Sequence, residues 1–172
     1  AYGRLRQNGA LRIGLPCPMR LLLFIAVLVQ SALAFAAPPL LTPAALQPLL
    51  GQPNVRVLDI RDTDAYAAKH IVGALSAPYG TWRGPPTNPG ELPALQELTR
   101  RVQSLGLTPE VHAVVVSEGE DASDFGAAAR VYWTLKALGM KDLSILNGGM
   151  VAWSAAKLPE DSVPATVGAS TW

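Results

Sequence analysis

The chain has 172 residues, of which 49% are hydrophobic and 16% charged, with a net charge of +1. That is enough apolar material for one ordinary domain with extras, and it excludes a disordered chain. No basic stripe interleaves with aromatic residues, which excludes a nucleic-acid surface.

The near-neutral charge hides an asymmetry. Arg4, Arg6, Arg12 and Arg20 lie in the first 36 residues, while all 13 acids lie beyond them. With those four arginines set aside, 10 basic residues face 13 acids, a net of −3.

Residues 19–36 have the features of a secretory signal peptide. Met19-Arg20 supplies a charged start, Leu21 to Val29 an apolar run, and Ala32-Leu33-Ala34-Phe35-Ala36-Ala37 small residues at A-x-A spacing. The run is too short to span a bilayer, which takes about 20 apolar residues. Cleavage is expected between Ala36 and Ala37 or after Ala34, giving a periplasmic or secreted protein free of the membrane. Residues 1–18 precede a plausible initiator, Met19, and read as an upstream extension outside the real protein. They include Cys17, the one cysteine, so the mature chain is expected to contain none. Without a cysteine there is neither a disulfide nor a thiolate nucleophile.

Beyond the leader, Thr42-Pro43 reads as N-cap and first helical position of a helix that stops at Gly51. Val55 to Asp59 is a buried strand, Asp62 caps a short helix through Ala68 or Lys69, and Ile71 to Ala77 returns as a strand. Residues 79–90 form an irregular loop rich in Gly and Pro. Leu92, Leu95, Leu98, Val102 and Leu105 mark one face of a helix ending at Gly106. The apolar run His112 to Ser117 reads as a strand covered on both faces. Phe125, Ala128, Tyr132, Leu135 and Leu138 mark the next helix, with Gly139 as its stop. Leu143 to Leu146 is another strand, and Val151-Ala152-Trp153 begins a short helix. Strands alternating with helices predict a three-layer α/β domain with a mostly parallel central sheet and helices on both faces.

Several of these segments together resemble rhodanese-type sulfurtransferases. They are Val-Arg-Val-Leu-Asp-Ile-Arg (55–61), Asp64-Ala65-Tyr66, Lys-His-Ile-Val-Gly-Ala (69–74) and Leu146-Asn147-Gly148-Gly149-Met150-Val151-Ala152-Trp153. The acid-rich loop, Phe125-Gly-Ala-Ala-Ala-Arg130-Val-Tyr-Trp133 and Leu135 are similar to the first domain of tandem thiosulfate and 3-mercaptopyruvate sulfurtransferases. The resemblance implies a rhodanese-like domain over 37–160. It also implies that residues 161–172 are a connector or the start of a second domain, rather than a short disordered tail. It makes Asp59, Arg61, His70, Gly148, Gly149 and Trp153 scaffold residues, and Glu118 the occupant of the cysteine position. In such first domains an acid there does no chemistry, and a second domain carries the cysteine.

The loop equivalent to the family's active site is Glu118-Gly119-Glu120-Asp121-Ala122-Ser123-Asp124. Backbone N–H groups and a helix amino end in such a loop can hold an anion and depress a thiol's pKa. Four carboxylates work against that. At ~5 Å and an effective dielectric of ~20, each pair of unit charges repels by about 3 kcal/mol before screening. Capping of the following helix by Asp121 or Asp124 is the preferred reading. A hard cation held by Glu118, Glu120 and Asp121 matches no known loop spacing, and Ser117 or Ser123 lacks the G-x-S-x-G turn of a serine nucleophile. No metal and no cofactor is therefore assigned.

Tyr79, Trp82, Arg83, Arg130 and Trp133 are the interface candidates, because aromatic residues and Arg dominate interface hot spots. The expected partner is a second rhodanese domain or another protein. The rival is a stand-alone binding or regulatory module, favoured if Trp82 packs in the domain's own core.

Overall fold

Five short strands set the frame, and their burial explains their composition. The computed structural model describes residues 37–172; the upstream extension, the leader and Cys17 lie outside the described residues. In chain order the elements are β1 (Leu40–Leu41), α1 (Pro43–Leu46), β2 (Val55–Asp59), α2 (Thr63–Ala68), β3 (His70–Ile71) and β4 (Leu75–Ser76). Then come α3 (Leu95–Ser104), β5 (His112–Val116), α4 (Ala122–Ala137), β6 (Leu143–Leu146), α5 (Gly149–Ala155) and β7 (Glu160–Asp161). The main sheet runs β1-β6-β5-β2-β4, every pairing parallel. Among the described residues no helix is long and apolar enough to cross a membrane.

A parallel sheet must be covered on both faces, which is why β5 is an unbroken apolar run. Successive side chains point to opposite faces. Ala113 and Val115 join Leu58, Leu98, Val102, Val131 and Leu135 in one core under α3 and α4. Val114 and Val116 join Val57, Leu46, Tyr66, Met150 and Trp153 in the other, under α1, α2 and α5. The architecture is thus a three-layer α/β fold with a parallel central sheet.

Several local readings change: the helix expected from Leu92 begins at Leu95, which is exposed rather than on the buried face. The expected helix 44–50 is a four-residue α1 followed by a 3-10 turn at Gln47–Leu49. The expected strand 71–77 is two strands, because Gly73 takes φ +76° and turns the chain. As a result β3 pairs antiparallel with β7 in a separate ribbon, and β4 alone joins the main sheet beside β2. Asp62 stands at the N-cap of α2, but its side chain makes no capping bond.

Residues 162–172 pack back across the domain. Val163 O lies 3.2 Å from His70 Nε2, and Ala165 N donates to the Tyr66 hydroxyl at 3.1 Å. Ser170 N then donates to Gln103 O at 2.9 Å, while Val167 crowds Gly106. The segment reaches from α2, on one face, to α3 on the other.

Candidate active-site loop and its equivalents

From β2 the chain passes first to β4 on one side and later to β5 on the other. The carboxyl ends of β2 and β5 therefore flank the point where strand order reverses, the usual ligand crevice of an open α/β sheet. A cleft of about 240 Å³ opens there, between Arg61 and Asp62 after β2, Ser117 and Glu118 after β5, and Tyr79 and Asp124 at the rim.

The floor is an ion-pair network. Asp59 is fully buried at the end of β2 and grips Arg61 twice, through Nη2 at 2.7 Å and Nε at 3.0 Å. Arg61 Nη2 also donates to the Lys69 carbonyl at 2.6 Å, and its Nη1 to Glu118 Oε2 at 3.2 Å. Burial alone pushes the guanidinium down, but the bonds and charge of Asp59, joined by Glu118, outweigh it and hold Arg61 above its ordinary value. Glu118, about a third exposed, thus places its carboxylate on the one arginine nitrogen that Asp59 and Lys69 leave free.

The loop wall is closed by its own side chains. Asp121 caps α4, accepting from Ser123 N at 2.7 Å and Asp124 N at 3.0 Å. Asp124 turns back to accept from Glu120 N at 3.0 Å. These backbone donors are the groups that would hold an anion, and carboxylates already occupy them. Glu118, Asp121 and Asp124 have separate partners, and among the described residues no three metal-ligating side chains converge.

Behind the loop lies the Gly148-Gly149 turn, both residues with positive φ. A Cβ on Gly119 would overlap the Gly148 carbonyl, and one on Gly149 would overlap the Ser117 carbonyl. That closeness lets Met150 N donate to Ser117 O at 2.9 Å and Val151 N to Glu118 O at 3.0 Å. The first turn of α5 is spent on the loop's carbonyls.

The other scaffold residues lie apart from the cleft floor. His70 is buried, its ring stacked on Tyr66 at 3.9 Å with Nδ1 2.7 Å from Tyr66 O. Trp153 is fully buried and donates through Nε1 to Pro159 O at 3.0 Å.

The interface candidates divide. Trp82 is not a surface residue: it is fully buried, donates to Ala77 O at 3.1 Å and lies beneath Arg101. The Gly- and Pro-rich loop folds inward through a 3-10 turn at Tyr79–Trp82, which sequence periodicity does not register. Replacing Trp82 by Ala should therefore cost about 3–5 kcal/mol. Arg130 is occupied with the same loop, donating to Gly90 O at 2.6 Å. Arg83 is exposed and stacks over half-buried Tyr79. Trp133 is 55% exposed on α4. Phe125, read from the sequence as part of the apolar face of that helix, is 48% exposed instead, since α4 buries Ala128, Val131, Thr134 and Leu135.

Comparison with known proteins agrees with this geometry. The family model "Rhodanese-like domain" matches residues 42–156. Over 133 residues the chain is 38% identical to the thiosulfate sulfurtransferase of Pseudomonas aeruginosa, covering 76% of this chain and 48% of that protein. Its identity to the thiosulfate sulfurtransferase of Azotobacter vinelandii is 36%, covering 78% and 49%. The chain spans about half the length of these curated relatives. Among solved structures, the 3-mercaptopyruvate sulfurtransferase SseA of Escherichia coli superposes with a TM-score of 0.63 at 21% identity, over 76% of this chain and 53% of that one. At that identity the likeness concerns the fold. Sheet order, crevice and family match converge: the chain belongs to the rhodanese-like family.

Proposed function

We propose that this chain is an exported rhodanese-like domain that is catalytically silent by itself, the non-catalytic half of a sulfurtransferase. In the full-length protein, sulfane sulfur would pass from thiosulfate or 3-mercaptopyruvate to a thiophilic acceptor such as cyanide. That chemistry needs a thiolate to attack the donor, form a persulfide and then yield the sulfur to the acceptor. The observation that carries the reading is at the end of β5. Glu118 stands there paired with Arg61, while Asp121 and Asp124 occupy the N–H donors of Glu120, Ser123 and Asp124. A carboxylate cannot carry sulfane sulfur, and this one fills the Arg61 nitrogen that Asp59 and Lys69 leave free. The relatives' doubled length supports a missing second half, and exposed Phe125 and Trp133 give it an apolar surface to meet.

One observation favours the stand-alone module: Trp82 is in the core and offers nothing to a partner. The two readings separate at the gene. An in-frame second domain with a cysteine loop beyond the Trp172 codon supports the half-enzyme, and a stop codon there supports the module.

Silence is tested on the protein directly. Given thiosulfate and cyanide, it should form thiocyanate no faster than buffer, and calorimetry should find no millimolar or tighter thiosulfate site. Glu118→Cys should stay inactive, because Glu120, Asp121 and Asp124 still raise the thiol's pKa and repel an anionic donor, and the N–H groups of Glu120, Ser123 and Asp124 stay occupied. Turnover by either protein would overturn the proposal.

A further inference from the structure

The nitrogen of Ala37 sits against a carboxylate, donating to Asp142 Oδ1 at 3.1 Å. The residues that follow are pinned one after another. Ser144 Oγ donates to Pro38 O at 2.5 Å, Ile145 N to Pro39 O at 2.8 Å and Asn147 N to Leu41 O at 2.8 Å. These anchors matter because β1 is a two-residue edge strand with little ladder of its own. Asp142 is only partly exposed, and among the described residues no Lys or Arg lies within ion-pair distance of it. Among the described residues it is a carboxylate without a Lys or Arg partner, aimed at a backbone nitrogen.

We propose that the Ala36–Ala37 bond is a processing site, and that the ammonium group freed on Ala37 forms an ion pair with Asp142 that fastens β1 to the sheet. The inference rests on the export reading above. The step is a hydrolysis by a signal-cleaving peptidase. Water adds across the amide, the C–N bond breaks, Ala36 keeps a carboxylate and the amine of Ala37 takes up a proton. Ala34 and Ala36 supply the small residues such a peptidase reads. Cleavage after Ala34 would instead put the charge two residues away, as much as ~7 Å along an extended chain.

At neutral pH an α-amino group, with an ordinary pKa of about 7.7–8.0, is mostly charged. Among the described residues, Lys141 and His112 are ionisable neighbours of Asp142. Lys141 is exposed. His112 has its Nε2 on Ser144 Oγ at 2.9 Å, and burial pushes it down more than Asp142 raises it, so it is neutral and does not compete.

Two measurements test the proposal. The described residues 37–172 belong to a single compact unit with its own two cores, so the chain beginning at Ala37 keeps the whole core. First, the full chain with its leader is expressed in a Gram-negative host, and the exported protein should begin at Ala37. A terminus at Phe35 would overturn the processing bond and leave export standing, whereas a retained leader would overturn both. Second, the chain beginning at Ala37 is prepared with a free or an enzymatically acetylated amine, each with Asp142 or with Asp142→Asn. Acetylation keeps the N–H and removes only the charge. It should lower Tm by about 3 °C with Asp142 present and by less than about 1 °C with Asn. Equal shifts in the two backgrounds would overturn the ion pair, whatever the first measurement finds.

Discussion

Two strand-to-helix crossings face each other across the cleft, and they are built on opposite principles. After β2, a fully buried carboxylate and a buried guanidinium satisfy each other, while the N-cap residue Asp62 leaves its helix uncapped by its side chain. After β5, the acids are half-buried or exposed, and Asp121 and Asp124 spend themselves on local backbone donors. The first crossing is a structural pin whose charge is fully committed. The second is an anion cradle that supplies its own anions. Glu118 joins the two, and it is the residue through which the pin closes the cradle.

The comparison makes unequal demands on the two sides, and substitutions should expose this. Arg61→Met leaves Asp59 charged and buried with no cation, which should cost about 3–5 kcal/mol in denaturant unfolding. A cost below ~1 kcal/mol would show that the pin is not what holds the β2 crossing. Asp121→Ala removes the cap from α4 and should cost about 1 kcal/mol. It should also speed amide exchange at Ser123 and Asp124, and unchanged exchange there would contradict the cradle description. Glu118→Gln, at a partly solvated pair, should change stability by less than about 1 kcal/mol. A loss as large as that of Arg61→Met would make the two crossings one unit rather than two.

Much of this was legible in the sequence. The runs at β2, β5 and β6 are apolar because both faces are covered, and the glycines at 148 and 149 mark a turn that needs positive φ. The acid-rich loop could be read as capping, because Asp one or two residues before a helix has few other roles. What escaped lay beyond local pattern. Gly73 divides one apparent strand between two sheets, a matter of which partner each half finds. Trp82 stands in a stretch of Gly and Pro with no periodicity, so nothing local shows that it turns inward. Phe125 fits a helical repeat but falls in the first turn, ahead of the buried positions that begin at Ala128. The Arg61–Glu118 contact spans 57 positions and needs the strand order to be seen at all.

The segment 162–172 has a consequence for cooperativity. It is bonded to Tyr66 and His70 on one side of the sheet and to Gln103 on the other, by way of Gly106. The sheet itself keeps those helices in separate cores. A chain that ties both cores together makes it hard for either layer to open while the other stays closed. Amides in α2 and α3 should therefore exchange with one common opening free energy, as a single foldon, although the buried side chains of the two helices belong to separate cores.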